Sequence, residues 1–272
     1  MNARLARLGL RLVSALAVCA LVASARPGIA APTEAIVRLP SEGGSTLPYL
    51  LGQDDAKAPL AVAILFTGGA GVVGLLTKGI PHPGANFLVR SRGLFLEQGI
   101  ATAVIDVPTD TALLTDAIRM SARHARDVDA VVADLGQRFP GVHVHLVGTS
   151  RGTVSAAHAG AALGDRVAGV VLTSTIFNSS RGGAGLAAFD YTSIRAPLLF
   201  VHHTDDGCPV TPYAPAEALA KRYPLVSVSG GAPARSDPCE AFSAHGYLGV
   251  EAPTVAAIGH WILGQPYPKT IP

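Results

Sequence analysis

Charged residues are scarce in this sequence of 272 residues: they make up 15% of it, whereas apolar residues make up 49%. This composition excludes disorder as the default state, because a chain so rich in apolar side chains can bury a sizeable core. The sequence also lacks any basic stripe or charge block, which argues against nucleic acid as a partner. Its length suits one large α/β domain or two small ones.

The first 31 residues follow the order of regions found in a secretory signal peptide. Three arginines among the first eleven residues precede the apolar segment Leu12–Val22, and small residues follow as far as Ala31. This segment is too short to span a membrane, so we expect residues 1–31 to be removed on export to the periplasm or the medium; a retained membrane anchor is the alternative. The mature chain, 32–272, would then have no stable membrane anchor. Its net charge would change from +2 to −2, because the leader holds four arginines and no acidic residue.

Cysteine is rare as well, since the chain has three. Cys19 lies in the leader, and export would leave Cys208 and Cys239 in an oxidising compartment. An even number of cysteines there favours a disulfide between them, with two unpaired buried thiols as the alternative.

The rest of the chain alternates between short apolar runs and helical patterns. A β-hairpin is predicted over Thr33–Arg38 and Leu47–Leu51. Six further strands are predicted at Leu60–Phe66, Ala101–Val107, Val142–Val147, Val167–Thr173, Pro197–His202 and Leu225–Val228. Helices are predicted at Asn86–Gln98, Asp116–Phe139, Thr153–Leu163, Tyr213–Tyr223 and Thr254–Leu263. Strands that are apolar on both faces and separated by helices predict a mostly parallel sheet covered by helices on both sides.

The segment GTSRG at 148–152 raises the question of why a hydroxyl stands in this turn. The preceding run predicts a strand and the following residues predict a helix, so Ser150 would occupy a sharp strand-to-helix turn. Bulky residues on either side would clash there, and Gly148 and Gly152 relieve that clash. The hydroxyl would then lie above the carboxyl edge of the sheet, at a helix N-terminus that favours developing negative charge.

Partners for such a serine can be sought by position, in the order serine, acid, histidine. The strand Pro197–His202 is followed by Asp205 and Asp206, which places a carboxylate at the same sheet edge as Ser150. His245 follows in a loop before the final helix. A serine needs an imidazole base because its hydroxyl is a poor nucleophile at neutral pH, and the base needs a carboxylate to fix its tautomer.

These segments resemble the α/β-hydrolase superfamily over essentially the whole mature length. The elbow GTSRG, the segment LLFVHHTDD and the late AHGY match the nucleophile, acid and histidine positions in order. The resemblance implies a single α/β-hydrolase domain over 32–272 without a large lid, with Ser150, Asp206 and His245 as a catalytic triad. The family acid segment reads roughly H-G-x-x-D, which selects Asp206, while Asp205 remains the alternative.

The resemblance also implies an oxyanion hole made by two backbone N–H groups. One belongs to the residue after the nucleophile, here Arg151, and the other comes from the loop after an earlier strand, here TGGAG at 67–71, with Gly69 or Ala70 as the donor. Under the same resemblance, a bridge between Cys208 and Cys239 would join the acid loop to the histidine loop. Such a bridge either holds the base and its acid in register or acts only as a staple of the fold.

Other polar residues carry weaker hypotheses. Asp106 is either an alternative acid or a polar residue at a strand end. A metal cluster is suggested by His202, His203, Asp205 and Asp206, but adjacent histidines on a strand point to opposite faces and cannot easily share an ion, so no metal is expected. His82 either borders the cleft or is solvated. The side chain of Arg151 forms either a structural ion pair or an anchor for an acidic substrate group, and Arg181 is placed by position on a rim over the site.

The sequence therefore predicts an exported serine hydrolase that cleaves a carboxylic ester or a related acyl bond of a small-molecule substrate, with no cofactor. Two alternatives remain open. One is a peptidase or thioesterase on the same fold, because acyl transfer is common to all of them. The other is a binding protein on this fold without catalytic activity.

Overall fold

The computed structural model of the protein describes residues 32–82, 84–180 and 182–272. The predicted signal peptide, including Cys19, and the rim residue Arg181 lie outside the described residues. Within the described ranges the strands form one sheet. They are β1 (Thr33–Pro40), β2 (Thr46–Gln53), β3 (Ala61–Phe66), β4 (Ile100–Ile105), β5 (Val144–Thr149), β6 (Gly169–Thr173), β7 (Leu198–His203), β8 (Leu225–Val228) and β9 (Thr270–Ile271).

The sheet is mostly parallel, as the apolar runs predicted. Its strand order is β1-β2-β4-β3-β5-β6-β7-β8-β9, and only the β1–β2 and β2–β4 pairs are antiparallel. Every residue of β3, β4, β5, β6 and β7 is buried. Strands buried on both faces need helices on both sides to keep water from their apolar side chains.

Eight α-helices lie in the described residues. They are α1 (Leu75–Lys78), α2 (Phe87–Arg90), α3 (Arg92–Leu96), α4 (Asp116–Arg119), α5 (Ala122–Arg138), α6 (Gly152–Leu163), α7 (Tyr213–Leu219) and α8 (Glu251–Ile262). Two hydrophobic cores result, one on each face of the sheet. Val131 of α5 and Val154 of α6 lie in the first core, and Phe95 of α3 and Ile258 of α8 lie in the second.

Two predicted helices are each divided in the structure. The pattern at 86–98 gives α2 and α3 with Ser91 between them, and the pattern at 116–139 gives α4 and α5. Ser121 caps α5, because its side chain accepts the N–H of His124 at 3.2 Å. A serine that accepts such a bond starts a new helix even where the apolar periodicity continues, so periodicity alone predicted too long a helix.

The connection from β6 to β7 passes over the carboxyl edge of the sheet. Its described residues contain one short 3-10 helix, Tyr191–Ser193. The described part of this connection therefore forms no large lid. Among these residues, no helix has the length and apolar character needed to cross a bilayer.

Candidate active site

Ser150 occupies a strained turn, which we call the nucleophile turn (148–152), where β5 passes into α6. Its backbone has φ 52°, in the left-handed region that residues with a Cβ rarely adopt. The two flanking glycines make the turn possible. A Cβ on Gly148 would lie 2.5 Å from the carbonyl oxygen of Gly152, and one on Gly152 would overlap the carbonyl oxygen of Phe66. The local backbone therefore accounts for glycine at both positions.

His245 is paired with a buried carboxylate. Its Nδ1 donates to Asp206 Oδ2 at 3.0 Å, and the side chain of Asp206 is fully buried while that of His245 is 6% exposed. The other oxygen of Asp206 accepts the N–H of Cys208 at 2.9 Å, so the carboxylate cannot rotate freely. Asp205 is exposed, and its N–H donates to the imidazole of His203 instead. The structure thus brings His245 to Asp206 and not to Asp205.

Thr211 completes the contacts around this pair. Its Oγ1 donates to Asp206 Oδ2 at 2.8 Å and lies 3.1 Å from His245 Nδ1. The threonine side chain is buried, so its hydroxyl fills the remaining acceptor site of that oxygen without admitting water. Sequence reasoning did not identify Thr211, because a lone threonine beyond a strand end carries no distinctive signal.

His245 lies in a loop that is closed at its base. This histidine loop, residues 232–248, follows β8, and its ends meet where Ala232 N donates to Leu248 O at 2.8 Å. The backbone of His245 is held in place because its carbonyl oxygen accepts a hydrogen bond from the hydroxyl of Ser174 at 2.8 Å. Tyr247 supports the same loop by donating to Val201 O of β7 at 2.7 Å.

Ser174 and Tyr247 both adopt positive φ, at 43° and 59°. Together with Ser150, they are the residues other than glycine with positive φ in the described chain. All three lie at the site, and strained backbone of this kind persists only where surrounding contacts hold it. The strained backbone therefore lies in the same part of the structure as Ser150 and His245.

A disulfide joins Cys208 to Cys239, 31 residues apart, as the cysteine count predicted. Cys208 lies two residues beyond Asp206, and Cys239 lies on the histidine loop. The bridge therefore ties the segment that carries the carboxylate to the segment that carries the imidazole.

Ser150 and His245 line one open cleft of about 340 Å³. Gly69 and Arg151 also line it, and Phe87 forms part of its apolar wall. Among the described residues no hydrogen bond joins the Ser150 hydroxyl to His245. Such bonds are often long in a site without ligand and shorten when substrate binds.

The loop 67–71, which we call the oxyanion loop, lies beside the nucleophile turn. A Cβ on Gly68 would be 3.0 Å from the Cβ of Ser150, so the absence of a side chain allows this close approach. Within the described chain, the N–H groups of Gly69, Ala70 and Arg151 donate to no protein acceptor. Three backbone donors near the serine are therefore available to a ligand.

Comparison with solved structures gives matches to this architecture at low sequence identity. Est1E from Butyrivibrio proteoclasticus, solved with bound ferulic acid, has a TM-score of 0.59 and 16% identity over 84% of this chain and 98% of that one. A dienelactone hydrolase from Anabaena variabilis has a TM-score of 0.54 and 17% identity over 86% and 96%. An α/β serine hydrolase without a lid, from Xanthomonas campestris, has a TM-score of 0.52 and 17% identity over 73% and 84%. In sequence, no family model and no curated protein matches the chain.

The chain has the α/β-hydrolase fold.

In this α/β-hydrolase fold the side chain of Arg151 is engaged away from the cleft centre. Its Nη1 donates to Asp116 Oδ1 at 2.6 Å and its Nη2 to the hydroxyl of Ser180 at 2.8 Å. Asp116 also accepts the N–H of Gly185 at 2.9 Å, so this ion pair anchors the connection from β6 to β7. The guanidinium thus forms a structural ion pair, one of the two alternatives that the sequence left open.

The remaining candidates lie outside the centre of the site. Asp106 is buried, and its carboxylate accepts the N–H groups of residues 73, 74, 75 and 107, which fixes the start of α1. His82 is exposed. Burial lowers the pKa of His202 to about 3, so this imidazole is neutral and accepts the N–H of Thr175 at 2.8 Å. His203 bonds instead to Gly230 O, so the two adjacent imidazoles have separate partners.

Proposed function

We propose that the protein is a serine hydrolase that cleaves a carboxylic ester or a related acyl bond through an acyl-serine intermediate. One observation carries this proposal: a serine on a strained strand-to-helix turn and an imidazole held by a buried carboxylate line the same cleft. In a hydrolytic site each group has a separate role, as nucleophile, base and orienting acid.

Acylation begins when the Ser150 hydroxyl attacks the substrate carbonyl carbon. His245 Nε2 takes the hydroxyl proton as the new bond forms, and the carbonyl oxygen becomes an oxyanion. Asp206 holds the Nδ1 proton, which leaves Nε2 free to act as the base, and its charge stabilises the imidazolium. The imidazolium then gives its proton to the departing alkoxide oxygen, so that an alcohol leaves and the acyl group remains on Ser150.

The oxyanion would be stabilised by the N–H of Arg151 and by an N–H of the oxyanion loop, at Gly69 or Ala70. These donors have no protein acceptor in the described chain, so they need not break a bond to receive the developing charge. Donors fixed in advance act mainly on the transition state, and removing one typically costs about 100-fold to 1000-fold in kcat.

Deacylation repeats the sequence with water. His245 takes a proton from water as the water oxygen attacks the acyl carbon. The bond between that carbon and Ser150 Oγ then breaks, and the imidazolium returns the proton to Oγ. The product acid is released, and the serine hydroxyl is restored. No step requires a cofactor or a metal ion.

The substrate class that we propose is a small-molecule ester. An open cleft of about 340 Å³ with an apolar wall fits one such molecule. The names of similar structures support this class, since they include esterases, a dienelactone hydrolase and a protein solved with ferulic acid. We also propose that residues 32–272 form one exported domain, because the Cys208–Cys239 disulfide suits an oxidising compartment.

The proposal is tested by covalent labelling with a fluorophosphonate probe. Purified wild type, Ser150→Ala and His245→Ala are incubated with the probe, and the labelled peptide is identified by mass spectrometry. We expect labelling at Ser150 in the wild type and none in either variant, together with hydrolysis of p-nitrophenyl butyrate by the wild type alone. A folded, disulfide-bonded wild type that is neither labelled nor active would overturn the proposal and favour a binding protein on this fold.

A further inference from the structure

A buried arginine lies directly behind the oxyanion loop. The side chain of Arg119, on α4, is 1% exposed, which is rare for a residue that must keep its charge solvated or paired. Burial lowers the pKa of Arg119 to about 10, so the guanidinium stays charged at neutral pH. In the described chain no carboxylate lies within salt-bridge distance of it. The negative charge of Asp116, on the same helix, offsets part of the effect of burial, and the hydrogen bonds of the guanidinium go to neutral oxygen acceptors.

Two of those acceptors are carbonyl oxygens of the oxyanion loop. Nη2 of Arg119 donates to Thr67 O at 3.3 Å and to Gly69 O at 3.2 Å. The other nitrogens are used as well, since Nη1 donates to the hydroxyl of Ser155 at 2.9 Å and Nε to Leu114 O at 3.3 Å. The guanidinium is therefore held by α6 and by the chain before α4, and in turn it holds the loop.

The carbonyls of Gly68 and Ala70 are occupied as well. Gly68 O accepts the N–H of Gly71 at 3.1 Å, and Ala70 O accepts the N–H of Leu114 at 2.8 Å. Every carbonyl from residue 67 to residue 70 is thus fixed by the protein, whereas the N–H groups of Gly69 and Ala70 remain available. In a planar trans peptide the C=O of one residue and the N–H of the next point in opposite directions. The bond to Gly68 O therefore fixes the direction of the Gly69 N–H, and the bond to Gly69 O fixes that of the Ala70 N–H.

We infer that Arg119 is a positioning residue of the oxyanion hole: by binding Gly69 O it sets the direction of the Ala70 N–H, one of the two loop donors proposed to receive the oxyanion, and by binding Thr67 O it anchors the start of the loop. This inference rests on the proposed function. Glycine-rich backbone is mobile unless its polar groups are held, and one misplaced donor weakens transition-state binding more than substrate binding. Arg119 therefore acts on kcat through the loop and does not touch the substrate.

A purely structural role makes a different prediction. A buried arginine that only supports the fold lowers the melting temperature when it is replaced, but the folded fraction keeps its kcat. Arg92 provides the control, because it is also buried and donates to main-chain carbonyls, at Val89 and Pro81, although unlike Arg119 it also forms an ion pair, with Glu34.

The test compares the wild type with Arg119→Met, Arg119→Lys and Arg92→Met. Melting temperature is measured by circular dichroism, and kcat and KM are measured on p-nitrophenyl butyrate well below the melting transition. The inhibition constant of phenylboronic acid is also measured, since this compound forms a tetrahedral anion on an active serine and reports on the oxyanion hole. Ser150 labelling by fluorophosphonate confirms that each preparation contains competent enzyme.

We expect Arg119→Met to lower kcat about 100-fold while KM stays within about threefold, because a loosened donor is missed mainly in the transition state. The phenylboronic acid constant should rise in parallel. Arg119→Lys should recover about tenfold of the lost kcat, since an ammonium still donates to a carbonyl but cannot reproduce the planar fork. Arg92→Met should lower the melting temperature and keep kcat.

Folded Arg119→Met with wild-type kcat would overturn the inference and leave Arg119 as a support of the fold. If Arg119→Met does not fold, Arg119→Lys and Ser155→Ala decide the question, since Ser155 anchors Nη1; wild-type kcat in both would overturn the inference. A wild type that neither hydrolyses esters nor labels at Ser150 would instead overturn the proposed function, and the inference with it.

Discussion

The nucleophile side and the histidine side of the cleft are built in different ways. Ser150 is positioned by five consecutive residues, 148–152, where β5 passes into α6, and Gly148 and Gly152 avoid the main-chain clashes that a Cβ would cause there. His245 and Asp206 are 39 residues apart and meet only through tertiary contacts. The histidine side is held in place by contacts between distant segments: a disulfide, the hydroxyl of Ser174 and the buried Thr211.

This difference indicates where each side is vulnerable. A turn set by local backbone tolerates changes far away but no added atom within it. A pair assembled over a distance tolerates local changes but depends on each crosslink that keeps its two segments together. The following variants test this contrast, beginning with the largest expected effect.

Asp206→Asn should be the most damaging change on the histidine side. The amide NH2 of asparagine can donate to Nδ1, which would place the imidazole proton on Nε2 and stop His245 from acting as a base. Replacing the orienting acid of a catalytic triad in this way lowers kcat by about 10⁴-fold. Steady-state hydrolysis of p-nitrophenyl butyrate measures this effect. Asp205→Asn is the matched control and should stay within about twofold, because Asp205 is exposed and does not contact His245. Equal losses in both variants would contradict the assignment of Asp206.

Gly152→Ala should be the most damaging change on the nucleophile side. The added methyl would overlap the carbonyl oxygen of Phe66, a main-chain atom that cannot move aside. We expect the free energy of unfolding to fall by about 3 kcal/mol, with most activity lost in the folded fraction. Gly136→Ala in α5 is the control, since its Cβ meets no atom within 4 Å and the change should stabilise by about 0.5 to 1 kcal/mol. Urea unfolding monitored by circular dichroism measures both, and a fully stable, active Gly152→Ala would refute the steric account.

Removing the disulfide should separate its two interpretations. The Cys208→Ala/Cys239→Ala variant should lose about 2 to 3 kcal/mol of unfolding free energy, because the unfolded chain is no longer constrained. If the bridge also keeps Asp206 and His245 in register, kcat should fall about tenfold at temperatures where the variant is fully folded. Urea unfolding and esterase kinetics on the same preparations give both values. Unchanged kcat would restrict the bridge to the stability of the fold.

Lowering the pH should destabilise both sides of the cleft, and this is the smallest of the expected effects. Burial lowers the pKa values of His124, behind the nucleophile side, and His202, beside the acid segment, to about 3 each. Because the folded pKa lies below the unfolded value, the unfolded chain binds more protons, and stability is lost as pH falls below about 6.5. Each histidine should lower the free energy of unfolding by about 0.8 kcal/mol at pH 6 relative to pH 8. His124→Gln should reduce this pH dependence by that amount in urea titrations, and an unchanged dependence would show that folding does not lower the pKa of His124.

The sequence was most informative where structure is local. The alternation of strands and helices predicted a parallel sheet, and the flanking glycines predicted the strained turn at Ser150, because these features depend on neighbouring residues. The helix patterns at 86–98 and 116–139 predicted helices that were too long. Whether Ser121 caps a helix depends on one hydrogen bond, which competes with the apolar periodicity around it.

Contacts between distant segments could not be predicted in the same way. Arg119 stands in a helical pattern like several other arginines, and only the folded chain brings it beneath Thr67 and Gly69. Ser174 takes positive φ without being glycine or asparagine, so no residue preference indicates it. The roles of Thr211 and Tyr247 likewise arise from the packing of strands that lie far apart in the chain.

The closed base of the histidine loop makes this part of the protein a replaceable module. Ala232 and Leu248 are hydrogen-bonded to each other, so the largely exposed residues 233–238 between them can be exchanged or added without altering β8 or α8. The entropic cost is small, since doubling the length of a flexible loop costs about 0.6 kcal/mol. Residues 239 to 241 of this module form one wall of the cleft. A library confined to residues 233–238 and 240–241, with Cys239, His245, Gly246 and Tyr247 retained, would therefore vary the wall of the cleft while the scaffold that carries Ser150 stays constant.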